Sequence, residues 1–77
     1  MSATVLRINS YFKNANRADI NELLSKMLLS ERQTRIFEMF YLKRQNIGFI
    51  ADELCISSAV VCRELYTIRD KILRFIR

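Results

Sequence analysis

The stretch that decides the fold of this 77-residue chain is Asn46–Leu65, N-I-G-F-I-A-D-E-L-C-I-S-S-A-V-V-C-R-E-L. Ile50, Ala51 and Leu54 repeat at one-turn spacing, which predicts a short helix from Ile47 to about Leu54 with Asn46 as its cap. Ile56 then plugs a tight turn. Ser57 caps a second helix whose buried stripe begins with Val61 and Leu65. The small Ala51 lets the two helices approach closely at a steep angle. The spacing therefore predicts a helix-turn-helix.

Moving outward toward the C-terminus, the second helix meets no breaker. Val61, Leu65, Ile68, Ile72 and Phe75 or Ile76 form one stripe, and Arg63, Arg69, Lys71, Arg74 and Arg77 decorate the other faces. At about eighteen residues this helix is about 27 Å long. Toward the N-terminus, S-E-R-Q at 30–33 fits a capping box, with Ser30 as cap and Gln33 reaching back. Ile36, Phe37, Phe40 and Tyr41 supply the apolar surface of the helix it opens, and Lys43 and Arg44 suit its C-terminal end. A preceding helix spans residues 17–28, with Ile20, Leu23, Leu24, Met27 and Leu28 at three- and four-residue intervals. Asn14–Asn16 make a break. Residues 3–14 give the first helix, whose stripe is Val5, Ile8 and Phe12, widened by Leu6 and Tyr11. That stripe either covers the domain's own core or meets a second subunit.

One Gly and no Pro leave almost no strand punctuation. The expected fold class is all-α, a small four- to five-helix domain with a C-terminal helix-turn-helix and a long last helix. Residues 1–77 are expected to form one domain near the lower limit for an unaided core. No uncharged apolar run approaches the ~20 residues that span a bilayer, and Arg7 and Asn9 interrupt any signal-peptide core. A cytoplasmic protein with no membrane association is expected. With no His and only Cys55 and Cys62, no metal site is expected, and the cysteines read as reduced thiols. The net charge is +5. Residues 58–77 hold five basic against two acidic side chains, the largest local excess. That balance is consistent with a polyanionic partner.

The run from Leu29 to Leu73 resembles region four of bacterial sigma factors, and more widely the sigma-like and LuxR-like tetrahelical DNA-binding domains. The residues that carry the resemblance are L-S-E-R-Q at 29–33, Y-L at 41–42, I-A-D-E-L at 50–54, I-S at 56–57, and Val61 with Arg63 and Leu65. Residues 17–28 look like the helix that precedes this pattern, so residues 1–16 stand as an added N-terminal helix, a core cover or a dimer arm. The uninterrupted last helix is closer to the sigma type than to the LuxR type. The resemblance implies a stand-alone region-four-like domain of phage, plasmid or accessory type, since the chain has no room for a promoter-melting domain.

Three departures from the family pattern matter. Arg44 stands where members often have Gly before the helix-turn-helix. Cys55 stands where they usually have Gly in the central turn, and a positive φ there costs about 1 kcal/mol. The recognition helix is also unusually apolar.

Carried over by position, the resemblance assigns base reading in the major groove to Ser58, Ala59, Val60, Cys62, Arg63 and Thr67. Ala59 and Val60 suit thymine methyl groups, and Arg63 suits a bidentate contact to guanine. Ser57, Asn46, Lys43, Arg44, Arg32 and Arg35 are the phosphate candidates. For Ser57 a plain helix cap is an equal reading, and for Ala59, Val60 and Cys62 packing against another protein is a rival. Val5, Ile8, Phe12, Phe49 and Tyr66 are the expected dimer or partner surface.

The expected function is a small sequence-specific DNA-binding transcriptional regulator acting on double-stranded DNA as a homodimer. The alternative is a protein-interaction module that binds RNA polymerase, a sigma factor or another regulator through its apolar recognition face. An enzyme is not expected. The chain has no His, no Gly-rich phosphate loop and no nucleophile beside a base. No cofactor is expected.

Overall fold

The computed structural model describes residues 3–76, with side chains from Leu6 onward. Its helices are α1 (Ala3–Asn14), α2 (Arg17–Met27), α3 (Glu31–Phe37, continued by a π-helical turn at Glu38–Leu42), α4 (Ile47–Leu54) and α5 (Ser58–Ile76). No strand occurs among the described residues. The architecture is the small all-α one read from the sequence, and α5 is the long last helix, 19 residues. None of the described helices is long and apolar enough to cross a membrane.

The chain divides into two compact units. Leu29–Ile68 form one, and the segments up to Leu28 and from Arg69 onward form the other. The division falls after Leu28 and within α5, and residues 17–28 group with α1.

The Leu29–Ile68 unit is fastened by caps at each helix end. Gln33 N–H donates to Ser30 Oγ at 3.1 Å, and Ser30 N–H donates to Gln33 Oε1 at 3.2 Å, so the capping box is formed. The end of α3 widens into an i→i+5 turn, closed by Lys43 N–H to the Glu38 carbonyl at 2.9 Å. Arg44 then takes a left-handed backbone, φ 59°, and Gln45 N–H reaches the Met39 carbonyl at 2.9 Å. Asn46 Oδ1 accepts from Phe49 N–H at 2.8 Å and opens α4.

At the other end of α4, Cys55 is left-handed, φ 57°. Ile56 N–H donates to the Ala51 carbonyl at 3.0 Å and Cys55 N–H to the Asp52 carbonyl at 3.3 Å. This pair of bonds is a Schellman motif, and it requires the left-handed residue. Since cysteine carries a Cβ into that region, Cys55→Gly is expected to leave stability unchanged or raise it by up to about 1 kcal/mol. The denaturant midpoint of unfolding measures this, and a clear fall would show that the thiol makes a contact worth more than the strain.

The core of this unit holds Ile36, Phe37, Ile50, Val61, Leu65 and Ile68, all buried, with Met39 and Ala51 beside them. Met39 had not been expected there, although it lies one turn after Ile36. Phe40 and Tyr41 are half-buried. The Phe37 and Tyr41 rings lie 5.6 Å apart between centroids.

In the second unit, Asn16 and Asp19 form a capping box that the sequence reading had not identified. Asp19 N–H donates to Asn16 Oδ1 at 2.8 Å, and Asn16 N–H to Asp19 Oδ2 at 3.1 Å. Tyr11 Oη donates to the Asp19 carbonyl at 3.3 Å, and the Tyr11 ring meets Phe75 edge-on at 6.4 Å. Burial pushes the Tyr11 phenol up, and the Asp19 and Glu22 carboxylates add to the shift. Ile8, Ile20, Leu23, Met27 and Ile72 are buried.

Two residues depart from the expected stripes. The helix expected over 17–28 stops at Met27, and Leu28 is left-handed, φ 53°, with 82% of its surface exposed. The left-handed residue turns the chain toward the Ser30 cap, which takes its side chain off the stripe. Leu6, expected to widen the α1 stripe, is more than half exposed.

Candidate nucleic-acid interface

A single geometric fact sets up the candidate site. Val61, Leu65 and Ile68 are inaccessible along one stripe of α5, at spacings of four and three residues. The opposite face is therefore presented outward. Ser58, Ala59, Cys62, Arg63 and Thr67 are all exposed, and Val60 is half-buried at the margin of that face. Ala59, Cys62, Arg63 and Thr67 thus fall on the outward side of one helix in the Leu29–Ile68 unit, whereas Ser58, three residues before Val61, lies on the side of the buried stripe and is exposed at the start of the helix. Thr67 Oγ1 donates back to the Arg63 carbonyl at 3.5 Å, a long contact that leaves the hydroxyl loosely held.

The phosphate candidates occupy the helix ends of the same unit. Lys43 and Arg44 sit in the loop before α4, Arg35 on α3, and all three are exposed. Among the described residues, none of Arg35, Lys43, Arg44 and Arg63 forms an ion pair with a carboxylate. Arg32 is different. Its Nε donates to Glu64 Oε2 at 3.4 Å, so part of its charge is met inside the unit. The guanidinium keeps further N–H donors, but Arg32 is the weakest of the four cationic candidates.

Ser57 and Asn46 are structural caps first. Val60 N–H donates to Ser57 Oγ at 3.2 Å. The Ser57 hydroxyl proton and the Asn46 side-chain amide remain as donors beyond the cap. The equal reading of Ser57 as a plain cap is therefore the one its geometry satisfies directly.

The structure also gathers residues that sequence reasoning had separated. Tyr66 was expected on a partner surface. It lies between Cys62 and Thr67 on the outward face of α5 and is 72% exposed. Its position was legible, since Ala59, Cys62 or Arg63, and Tyr66 recur at helical spacing. Phe49 is exposed on α4. Of the other partner-surface residues, Ile8 is buried at 2% exposure and has no side chain to offer a partner, because it is taken up by the chain's own packing. Phe12 is half-buried, with its ring edge-on to Tyr11 at 5.4 Å. The Val5 side chain lies outside the described residues.

One feature gave no sequence signal. Gln45 Oε1 is buried with no hydrogen-bond partner among the described residues, in the loop where the π-helical turn closes. A glutamine before an Asn cap reads as ordinary loop, and only the widened turn carries it inward.

The remaining polar chemistry is sparse. Cys55 and Cys62 are both free and exposed. No cluster of His, Cys, Asp or Glu suited to a metal ion occurs among the described residues. The arrangement is a single outward helix face with one cation, one hydroxyl, a phenol and small apolar groups, with the Ser58 hydroxyl at the helix start and exposed cations in the same unit. No protein-family model, no curated protein and no solved structure matches this chain.

Proposed function

We propose that the Leu29–Ile68 unit binds double-stranded DNA, with α5 in the major groove, and that the protein is a small transcriptional regulator of the sigma region-four-like type. The observation that carries this reading is the outward face of α5. It follows a Schellman turn and a Ser57 cap, and among the described residues Arg63 forms no ion pair with an acid. Ser58, Arg63 and Thr67 supply hydrogen bonds to base edges, and Ala59 and Val60 supply contacts to thymine methyls. Lys43, Arg44 and Arg35 supply the phosphate contacts that set the register. Pairing of two copies on adjacent half-sites belongs to the same proposal, with a cytoplasmic location.

The decisive experiment measures binding to duplexes from a randomised pool over a salt series. Affinity that falls with salt and a recovered preferred sequence are expected. No binding at the lowest salt would overturn the proposal.

Arg44 offers a test with opposite signs. Its left-handed backbone is strained for arginine, so Arg44→Gly is expected to raise stability by up to about 1 kcal/mol. The same change removes a phosphate contact and is expected to lower affinity for every duplex alike. A thermal melt and a binding titration on one variant read both effects. Unchanged affinity would remove Arg44 from the interface.

A second reading rests on a specific observation. Tyr66 and Phe49 are large and exposed, and Ala59 and Val60 are apolar. Exposed apolar groups of this kind also suit a protein partner such as RNA polymerase, a sigma factor or another regulator. Loss of partner binding in Tyr66→Ser without loss of DNA affinity would favour it.

A further inference from the structure

A second basic feature lies in the other unit and is built from none of the residues assigned to DNA. Lys26 and Met27 at the end of α2, with Lys71, Arg74 and Phe75 of α5, line a groove of about 320 Å³. Met27 is buried and Phe75 half-buried, so the floor is apolar. Three cations surround it. Among the described residues, neither Lys26 nor Lys71 forms an ion pair. Arg74 Nη2 meets Asp70 Oδ2 at 3.0 Å, with both side chains mostly exposed. Such an exposed pair is weak and readily exchanged for another carboxylate.

We infer that this groove docks an acidic peptide segment that carries an apolar side chain. Charge complementarity selects the sign, because among the described residues the three cations meet a single paired carboxylate, that of Asp70, and leave a positive rim. The floor selects the class. Met27 and Phe75 call for an apolar group set between carboxylates, which an acidic amphipathic peptide offers. A duplex presents phosphates along its backbone with no apolar group to place on that floor. The inference stands apart from the DNA reading, since it uses none of the residues assigned there.

The test uses the full chain, isotope-labelled, and a short synthetic peptide rich in Glu, Asp, Leu and Phe. A matched peptide with Gln and Asn in place of the acids is the control. Amide shifts centred on Lys26, Met27, Lys71 and Phe75 are expected with the acidic peptide alone. Lys26→Glu combined with Lys71→Glu is expected to weaken binding at least about tenfold, with helicity retained by circular dichroism. The shift map of the unaltered chain needs no variant and decides the matter if the double variant fails to fold. Shifts centred elsewhere, equal binding of the neutral peptide, or duplex DNA perturbing the groove more strongly than the peptide would each overturn the inference. No DNA enters the peptide arm, so its failure and a failure of the DNA reading are distinguishable.

Discussion

Arg63→Ala is expected to relax base preference at one position of the bound site while leaving the fold intact. Arg63 is exposed on α5, unpaired with any acid among the described residues, and flanked by the exposed Cys62 and Tyr66. A bidentate arginine–guanine contact contributes about 1–3 kcal/mol of discrimination, which is roughly five- to 150-fold between the right and wrong base. Helix stability hardly changes, because arginine and alanine are both good helix formers. Lys43→Ala provides the contrast. It is expected to weaken all duplexes equally and to reduce the salt slope by about one unit. Selection from a randomised pool followed by titration measures both. If the Arg63 variant recovers the same preferred sequence with the same discrimination, Arg63 does not read a base. If both variants behave alike, the separation between reading face and phosphate track is wrong.

Phe37→Ala is expected to be the most damaging single change to the Leu29–Ile68 unit. Phe37 is completely inaccessible, sits where α3 passes into its π-helical turn, and stacks at a tilt on Tyr41. Removing a buried phenylalanine costs about 3–5 kcal/mol in lost transfer energy and cavity formation. A chain of this length has on the order of 4–12 kcal/mol of total stability. The loss therefore consumes much of what holds the unit together, and the thermal midpoint is expected to fall by at least about 12 °C. A fall below about 5 °C would mean that the site collapses around the missing ring. DNA binding is expected to be lost in parallel, since the face of α5 is held outward only while Val61, Leu65 and Ile68 remain packed.

The two variants mark the two kinds of information in this chain. Helix positions were legible because they depend on local rules. Ser30 with Gln33, Asn46 before Ile47, and Ser57 before α5 are caps whose bonds span three residues, so neighbours in sequence settle them. The α5 stripe was legible for the same reason, as spacings of four and three residues place Val61, Leu65, Ile68 and Ile72 on one side. The left-handed turn at Cys55 was anticipated from the family resemblance, which has glycine there.

Other features depended on packing across the chain. No local pattern distinguishes an α-helical from a π-helical end at Glu38–Leu42, because the choice follows from how α3 must close onto the loop before α4. Leu28 was read as core by its spacing, yet its left-handed backbone turns it into solvent. Ile8 was open between a partner surface and the chain's own core, and its burial places it in the latter. Gln45 gave no signal at all. The sequence by itself determined where the helices lie, the caps at Ser30, Asn46 and Ser57 and the outward face of α5, all products of contacts within a few residues. Only the tertiary structure decided which stripe residues are buried, that Arg32 is tied to Glu64, and that Lys26 joins Lys71 and Arg74 around one groove. Those outcomes depend on residues far apart in the chain, whose meeting no spacing rule records.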